Sequence, residues 1–231
     1  MLKAARIVVI LTLPLVLLFT SLEALVFQRA YFDVQFSRYG IEAVTGMERE
    51  DLLFTMDQVM AYLKGDREDL VVISRVRGEE REIFGPREKE HMVDVRELFL
   101  RGFQIRNASL ILLLAALAYL LRRGAGAAAS ALLWAGWLPL SLAVLLGGAA
   151  ALNFSPYFVL FHEVFFDNDL WILDPQREIL IQMLPEGFFR DTTLLGAGIF
   201  TLLCLLTGLF SFLFLRFRRG KEGHLPAAPT L

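Results

Sequence analysis

Three histidines stand in this chain of 231 residues, and two sit where an imidazole could do chemistry. His91 and His162 each have a glutamate as neighbour, Glu90 and Glu163. Histidine titrates near neutrality, so it can take up and return a proton at working pH. His162 lies in the strongly apolar run Phe158-Val159-Leu160-Phe161-His162-Glu163-Val164-Phe165-Phe166, where an ionisable side chain is costly and often functional. Asp94 follows His91 by three residues, so on a helix the two share a face and can hydrogen-bond. Such a carboxylate fixes the imidazole tautomer and favours the protonated ring. Asp167, Asp169 and Asp174 crowd the turn after His162. They could hold a cation or cap helix ends, and capping is the expected role of Asp174. His224, near the end of the chain, is read as incidental. Residue type alone leaves a second possibility open, that His91 and His162 are ordinary hydrogen-bonded structural residues.

Other chemistries fit less well. There is no HExxH helix, no GxSxG elbow and no phosphate-cradling glycine loop. The single cysteine, Cys204, excludes an internal disulfide framework and reads as packing inside an apolar stretch. Two histidines with scattered carboxylates lack diagnostic metal spacing. Glu23 reads as half of an ion pair with Arg106 or Arg29.

The elements that must position the histidines are dominated by membrane spans. Hydrophobic residues make up 56% of the chain and charged ones 21%, but long stretches carry no charge at all. This pattern excludes an ordinary soluble domain, a disordered chain and a nucleic-acid binder led by bulk positive charge. Four stretches reach the roughly 20 residues that cross a hydrocarbon core: Ile7–Phe27, Phe103–Leu121, Ala125–Leu152 and Thr193–Leu215. Each is apolar all round, which marks a span and not an amphipathic surface helix. The first is long and lacks a clear small-x-small site, so it reads as a span and not as a cleaved signal peptide. Gly147, Gly148 and the alanines of the third span are expected to allow close helix packing.

Basic residues set the expected orientation. Lys3 and Arg6, then Arg122 and Arg123, then Arg216, Arg218, Arg219 and Lys221 fall on one side if all four stretches span. That side is the cytoplasm, with both termini inside. Two hydrophilic segments then lie outside, and both are acidic. Residues 28–102 carry 12 Lys/Arg against 16 Asp/Glu, and 153–192 carry 2 against 7. An acidic outer face attracts cationic groups, although exclusion of acids from the inner flanks accounts for it more simply.

The first outer segment reads as folded. Tyr31–Phe36 alternates like a strand. Thr45-Gly46-Met47-Glu48 has capping-box form and opens a helix presenting Leu52, Met56, Val59, Met60 and Leu63, stopped by Gly65. Leu70–Val76 and Arg81–Phe84 read as strands around Arg77-Gly78. Gly85-Pro86 starts a helix that could run on into the second span. In the second outer segment the aromatic run suggests chain lying in the membrane interface, followed by a short helix over Pro175–Leu184 with Asp174 as its N-cap. Pro185-Glu186-Gly187 ends it, Phe188-Phe189 precede the last span, and the tail after Lys221 reads as disordered.

The expected fold is an all-α polytopic membrane protein with four transmembrane helices. It carries a small α+β extracytoplasmic insertion between spans 1 and 2, and a short helical interfacial segment between spans 3 and 4. The divisions are residues 1–27 (first span), 28–102 (outer segment), 103–152 (spans two and three), 153–192 (interfacial segment), 193–218 (fourth span) and 219–231 (cytoplasmic tail).

As a set, the runs around the two histidines are specific. They are Glu88-Lys89-Glu90-His91-Met92-Val93-Asp94-Val95, and Phe161-His162-Glu163-Val164-Phe165-Phe166 leading to Trp171, Asp174-Pro175 and Leu184-Pro185-Glu186-Gly187-Phe188-Phe189. With four spans, the chain resembles the bacterial lipoprotein intramolecular transacylase (Lit) family of membrane proteins. The resemblance implies acyl transfer at the outer leaflet of the bacterial cell membrane. The substrate would be a diacylglyceryl lipoprotein with a free α-amine on its N-terminal cysteine. An acyl chain would move from the glycerol sn-2 oxygen to that amine, giving a lyso-form lipoprotein. Ester to amide runs downhill, so no cofactor and no metal is expected. The expected partners are the lipoprotein and membrane lipids, and no nucleic acid. By the resemblance His162 is the expected general base at the amine, and His91, with Asp94 behind it, the proton donor to the leaving oxygen; the roles could be exchanged. Glu163, Tyr157, Asn168, Trp171 and Asp174 are the supporting or positioning candidates. Two rival readings are a non-catalytic membrane protein that binds a secreted partner, and a metal-dependent lipid hydrolase.

Overall fold

The computed structural model describes residues 1–222, so His224 and the tail expected to be disordered lie outside the described residues. In chain order the elements are α1 (Leu2–Val26), α2 (Arg29–Tyr39), α3 (Ile41–Thr45), α4 (Arg49–Lys64), β1 (Ile73–Val76), β2 (Glu79–Glu82), α5 (Pro86–Arg122), α6 (Ala125–Leu152), α7 (Ser155–Phe165), α8 (Ile179–Met183) and α9 (Glu186–Glu222). Four of these, α1, α5, α6 and α9, contain stretches long and apolar enough to cross a membrane. The all-α membrane architecture with a small two-stranded sheet is therefore the observed fold. Two compact units divide the chain.

The apolar unit comprises Met1–Thr20, Ile105–Leu146 and the chain from Ala197 onward. Its core joins Val9 and Leu13 of α1 to Leu113, Ala116 and Leu120 of α5 and to Ala128, Ala131 and Ala135 of α6. The three alanines recur at helical spacing, so α6 offers a low ridge against which neighbours settle. α6 and α9 approach closely at Gly136. A β-carbon there would stand 2.6 Å from the Gly208 nitrogen and 2.7 Å from the Cys204 carbonyl oxygen of α9. Cys204 is fully buried beside Leu140 and Phe200, a packing residue. The expected small-residue contact at Gly148 is not made, since among the described residues nothing lies within 4 Å of a β-carbon placed there.

The hydrophilic unit comprises Ser21–Gln104 and Gly147–Gly196. Its core is built around Phe32, Phe36, Leu52, Met56, Val59, Phe84, Met183 and Phe188. Tyr31–Phe36 is helix, not strand. Phe32, Gln35 and Phe36 are its buried side chains, at helical spacing, and the Phe32 ring stacks on Phe188 at 5.5 Å. Gly40, in the left-handed conformation at φ 62°, ends α2. Thr45 is not an N-cap: its hydroxyl donates to the Ile41 carbonyl and accepts from the Met47 N–H, closing α3. α4 instead opens after Glu48, buries the five apolar residues expected of it and stops at Gly65.

The two strands pair antiparallel, with Val76 opposite Glu79 and Ile73 opposite Glu82. They are shorter than expected and offset toward the turn. Arg77 and Gly78 both take positive φ, the geometry of a tight two-residue hairpin. Pro86 opens α5, which continues for 37 residues without a break. Arg29 pairs with Glu50 and Asp57. The expected helix over Pro175–Leu184 is reduced to α8, five residues long, behind a turn at Asp174. α9 begins at Glu186, so Phe188 and Phe189 lie inside the helix that becomes the last span.

Candidate active site

Both histidines belong to the hydrophilic unit. His91 stands in the charged opening turns of α5, outside that helix's apolar stretch, and shares a face with Arg87 and Asp94. His162 stands in α7, whose first turn holds Pro156, a residue suited to that position. No element was assigned to this aromatic stretch from sequence. The fold brings the two imidazoles together, with ring centroids 6.2 Å apart and each residue only 7% exposed.

The His162 ring is held on every side by aromatics. It stacks on Trp171 at 4.7 Å and meets Phe158 at 4.4 Å, Phe161 at 5.4 Å and Phe166 at 5.6 Å. Its Nδ1 lies 2.6 Å from the Phe158 carbonyl oxygen. A carbonyl only accepts, so Nδ1 carries a proton and Nε2 of the neutral ring keeps its lone pair. This is the tautomer of a base. Burial lowers the His162 pKa, opposed by the Phe158 carbonyl.

His91 touches Phe166 edge-on at 5.4 Å, and its Nδ1 is buried with no hydrogen-bond partner among the described residues. Unpaired buried nitrogens are uncommon, and they mark functional positions often enough to carry weight. Burial first, then the neighbouring His162, and least of all the Arg87 charge push the His91 pKa down, against the pull of Asp94, to about 4. Both rings are therefore neutral near pH 7. The unfolded chain, with an ordinary His91, binds this proton at higher pH than the folded one. Folding stability is thus expected to fall as pH drops from about 6.5 toward about 4, and His91→Leu to flatten that acid limb. Thermal midpoints measured across pH check this; equal slopes in both proteins would contradict it.

Asp94 does not bond to His91 as expected. Its Oδ2 accepts from the Asn168 side-chain amide at 2.9 Å, and the Asn168 Oδ1 accepts the Leu170 N–H at 3.0 Å. Asn168 thus ties the loop after α7 to the helix that bears His91, and Arg87 ties the same loop through the Asp169 carbonyl. Trp171 is placed directly on His162. Glu163 is exposed, and with Asp94, Glu97 and Asp167 it lines a groove of about 460 Å³. Tyr157 is also exposed, and lies five residues from His162, toward the far side of α7. Asp174 takes the Gln176 N–H in a turn, so it shapes the loop and does not join the pair. Among the described residues, Asp167, Asp169 and Asp174 do not gather with others into a metal-holding group.

Glu88 has no assigned role in the sequence reading. It is 2% exposed, accepts the Gly85 N–H at 2.6 Å and accepts the Leu180 N–H at 2.7 Å. The signal was present: Gly85-Pro86-Arg87-Glu88 puts glutamate three residues after the helix cap, where its side chain reaches back.

A four-span helical membrane protein with two neutral, buried, facing imidazoles is the class that fold and site define. The chain belongs to the lipoprotein intramolecular transacylase Lit family, whose model matches residues 7–189. It is therefore an acyltransferase of the cell envelope. A solved structure of the membrane integral lipoprotein intramolecular transacylase Lit from Bacillus cereus superposes with a TM-score of 0.79 at 21% identity, covering 97% of this chain and 99% of that one. Two variants of the same Bacillus cereus protein, with a histidine replaced by alanine or by arginine, each align at 0.77 and 20% identity. They cover 95% and 96% of this chain, and 96% and 95% of theirs. These likenesses establish the fold. No match was found among curated proteins.

Proposed function

We propose that the protein moves an acyl chain from the sn-2 ester of a diacylglyceryl lipoprotein to the α-amine of its N-terminal cysteine. The facing pair of buried histidines, with the His162 tautomer fixed, is the observation that carries this reading. The amine nitrogen attacks the ester carbonyl, the N–C bond forms and the C–O bond to glycerol breaks. Counted from the neutral amine, one proton leaves nitrogen and one reaches oxygen, so the transfer itself neither gains nor loses a proton; an amine that arrives as ammonium first gives one proton to water. His162 Nε2 takes the first as the amine attacks, and the imidazolium so formed supplies the second. His91, held neutral, hydrogen-bonds the departing oxygen through an uncharged ring N–H and does not stand as a pre-charged acid. General acid–base help of this kind contributes about 10²–10⁴-fold, the remainder coming from orientation and charge stabilisation.

The surroundings suit this substrate. An α-amine with a pKa of about 7.7–8.0 arrives largely as ammonium, and the carboxylates of Asp94, Glu163 and Asp167 favour its approach, since the one cation among the described residues of the groove, Arg101, is paired with Glu97. The exposed Val159, Leu160, Phe161, Val164 and Phe165 of α7 suit contact with lipid. The basic clusters support an orientation with both termini in the cytoplasm and the hydrophilic unit outside, in which the site works at the outer leaflet of the bacterial cytoplasmic membrane.

The test is expression in a bacterium that leaves its lipoproteins diacylated with the amine free. Tandem mass spectrometry of a reporter's N-terminal lipopeptide is expected to find one acyl chain on the amine with total mass unchanged. Loss of one chain's mass would mean hydrolysis instead, and an untouched lipopeptide in well-loaded membranes would favour a binding protein.

A further inference from the structure

Glu88 is a buried carboxylate that the proton transfer above does not use. Its two oxygens accept backbone N–H groups from Gly85, at the cap of its own helix, and from Leu180, in the first turn of α8, 92 residues away. Burial pushes its pKa up while the two donors oppose. A buried carboxylate costs stability, so what it joins matters. On one side is α5, with His91 three residues further along. On the other is the segment 166–184, whose Trp171 stacks on His162. Two more ties join the same partners, from Arg87 to the Asp169 carbonyl and from Asn168 to Asp94. His91 lies between them in sequence. Arg87 reaches its carbonyl at an exposed site and the Asn168 tie is partly buried, whereas Glu88 is itself almost wholly enclosed.

We propose that Glu88 is a positioning residue for acyl transfer, tying α5 to the segment 166–184 so that the two histidines keep their working separation. This rests on the two-histidine reading. The charges that move the His91 pKa are those of His162, Asp94 and Arg87, so Glu88 acts through geometry.

The test compares kcat and KM of the full chain in lipid nanodiscs on a synthetic diacylglyceryl lipopeptide. In Glu88→Gln an amide NH₂ faces one of the two backbone donors. Glu88→Asp is one methylene shorter: it still reaches the Gly85 cap of its own helix but not Leu180. Both are expected to lower kcat about 10- to 100-fold with KM nearly unchanged. Val59→Ala opens a cavity in the core of the same unit, on α4, which bears neither histidine nor Glu88, and is expected to lower the thermal midpoint and leave kcat alone. Unchanged kcat in the Glu88 variants overturns the proposal. So does an equal fall in Val59→Ala, which would make the effect one of stability. If Glu88→Gln does not accumulate, Glu88→Asp decides. Full activity in Glu88 variants beside inactive histidine variants sinks this inference alone, whereas full activity in His91→Ala and His162→Ala sinks the functional reading with it.

Discussion

His162→Ala is expected to lower kcat by about 10²–10⁴-fold, the usual worth of a positioned general acid–base group. On the proposed mechanism the side chain takes the amine proton and returns one to the glycerol oxygen, so both halves of the transfer fail together. The variant should still fold. The lost ring makes one hydrogen bond, to the carbonyl of its own helix, and that carbonyl also accepts from the helix backbone. Removing the imidazole leaves a slot walled by Phe158, Phe166 and Trp171. Free imidazole is expected to enter it and restore part of the rate, with rescue growing as the added base becomes neutral. Lipopeptide turnover by mass spectrometry, with and without imidazole, is the measurement. Undiminished turnover at normal protein levels would remove His162 from the chemistry.

The largest expected stability effect lies in the apolar unit. Gly136→Leu should cost about 3 kcal/mol or more, beyond the about 1–3 kcal/mol of ordinary overpacking. The obstacle is backbone: the Gly208 nitrogen and the Cys204 carbonyl of α9 already occupy the space of a β-carbon. Gly136→Ala gives a sharper sign. Helix propensity alone predicts a gain of about 1 kcal/mol, and the close approach predicts a loss. Gly148→Ala, with open space around it, should follow propensity. Thermal unfolding in detergent separates these cases. A midpoint in Gly136→Ala at or above that of the parent chain would mean the helices can separate at no cost.

The spans and the turn glycines were readable because each signal is local. About 20 apolar residues have few alternatives, and Gly65 and Gly78 mark left-handed positions wherever they fall. Tyr31–Phe36 misled because its pattern satisfies both periodicities; burial of Phe32, Gln35 and Phe36, with Tyr31 and Phe32 against Phe188, decided for helix. α7 went unread because a run of aromatics shows no polar face. The partners of the site were out of reach for another reason. Asp94 meets Asn168 across 74 residues and Glu88 meets Leu180 across 92, so no local spacing announces either bond. The two histidines themselves were found by type and context, while their mutual approach is a product of the fold.

The bond from the His162 ring to the carbonyl four residues earlier makes half of this site portable. The proposed base, its tautomer lock and its stacking wall are all written between Phe158 and Trp171, in one continuous stretch. Sequence drift elsewhere cannot silently rotate that imidazole, because its alignment is inherited with its own helix turn. His91 has no such insurance: its place depends on ties from distant parts of the chain. Lineages that diverge in this architecture should therefore keep the His162 stretch as a recognisable cassette, and lose the match around His91 first.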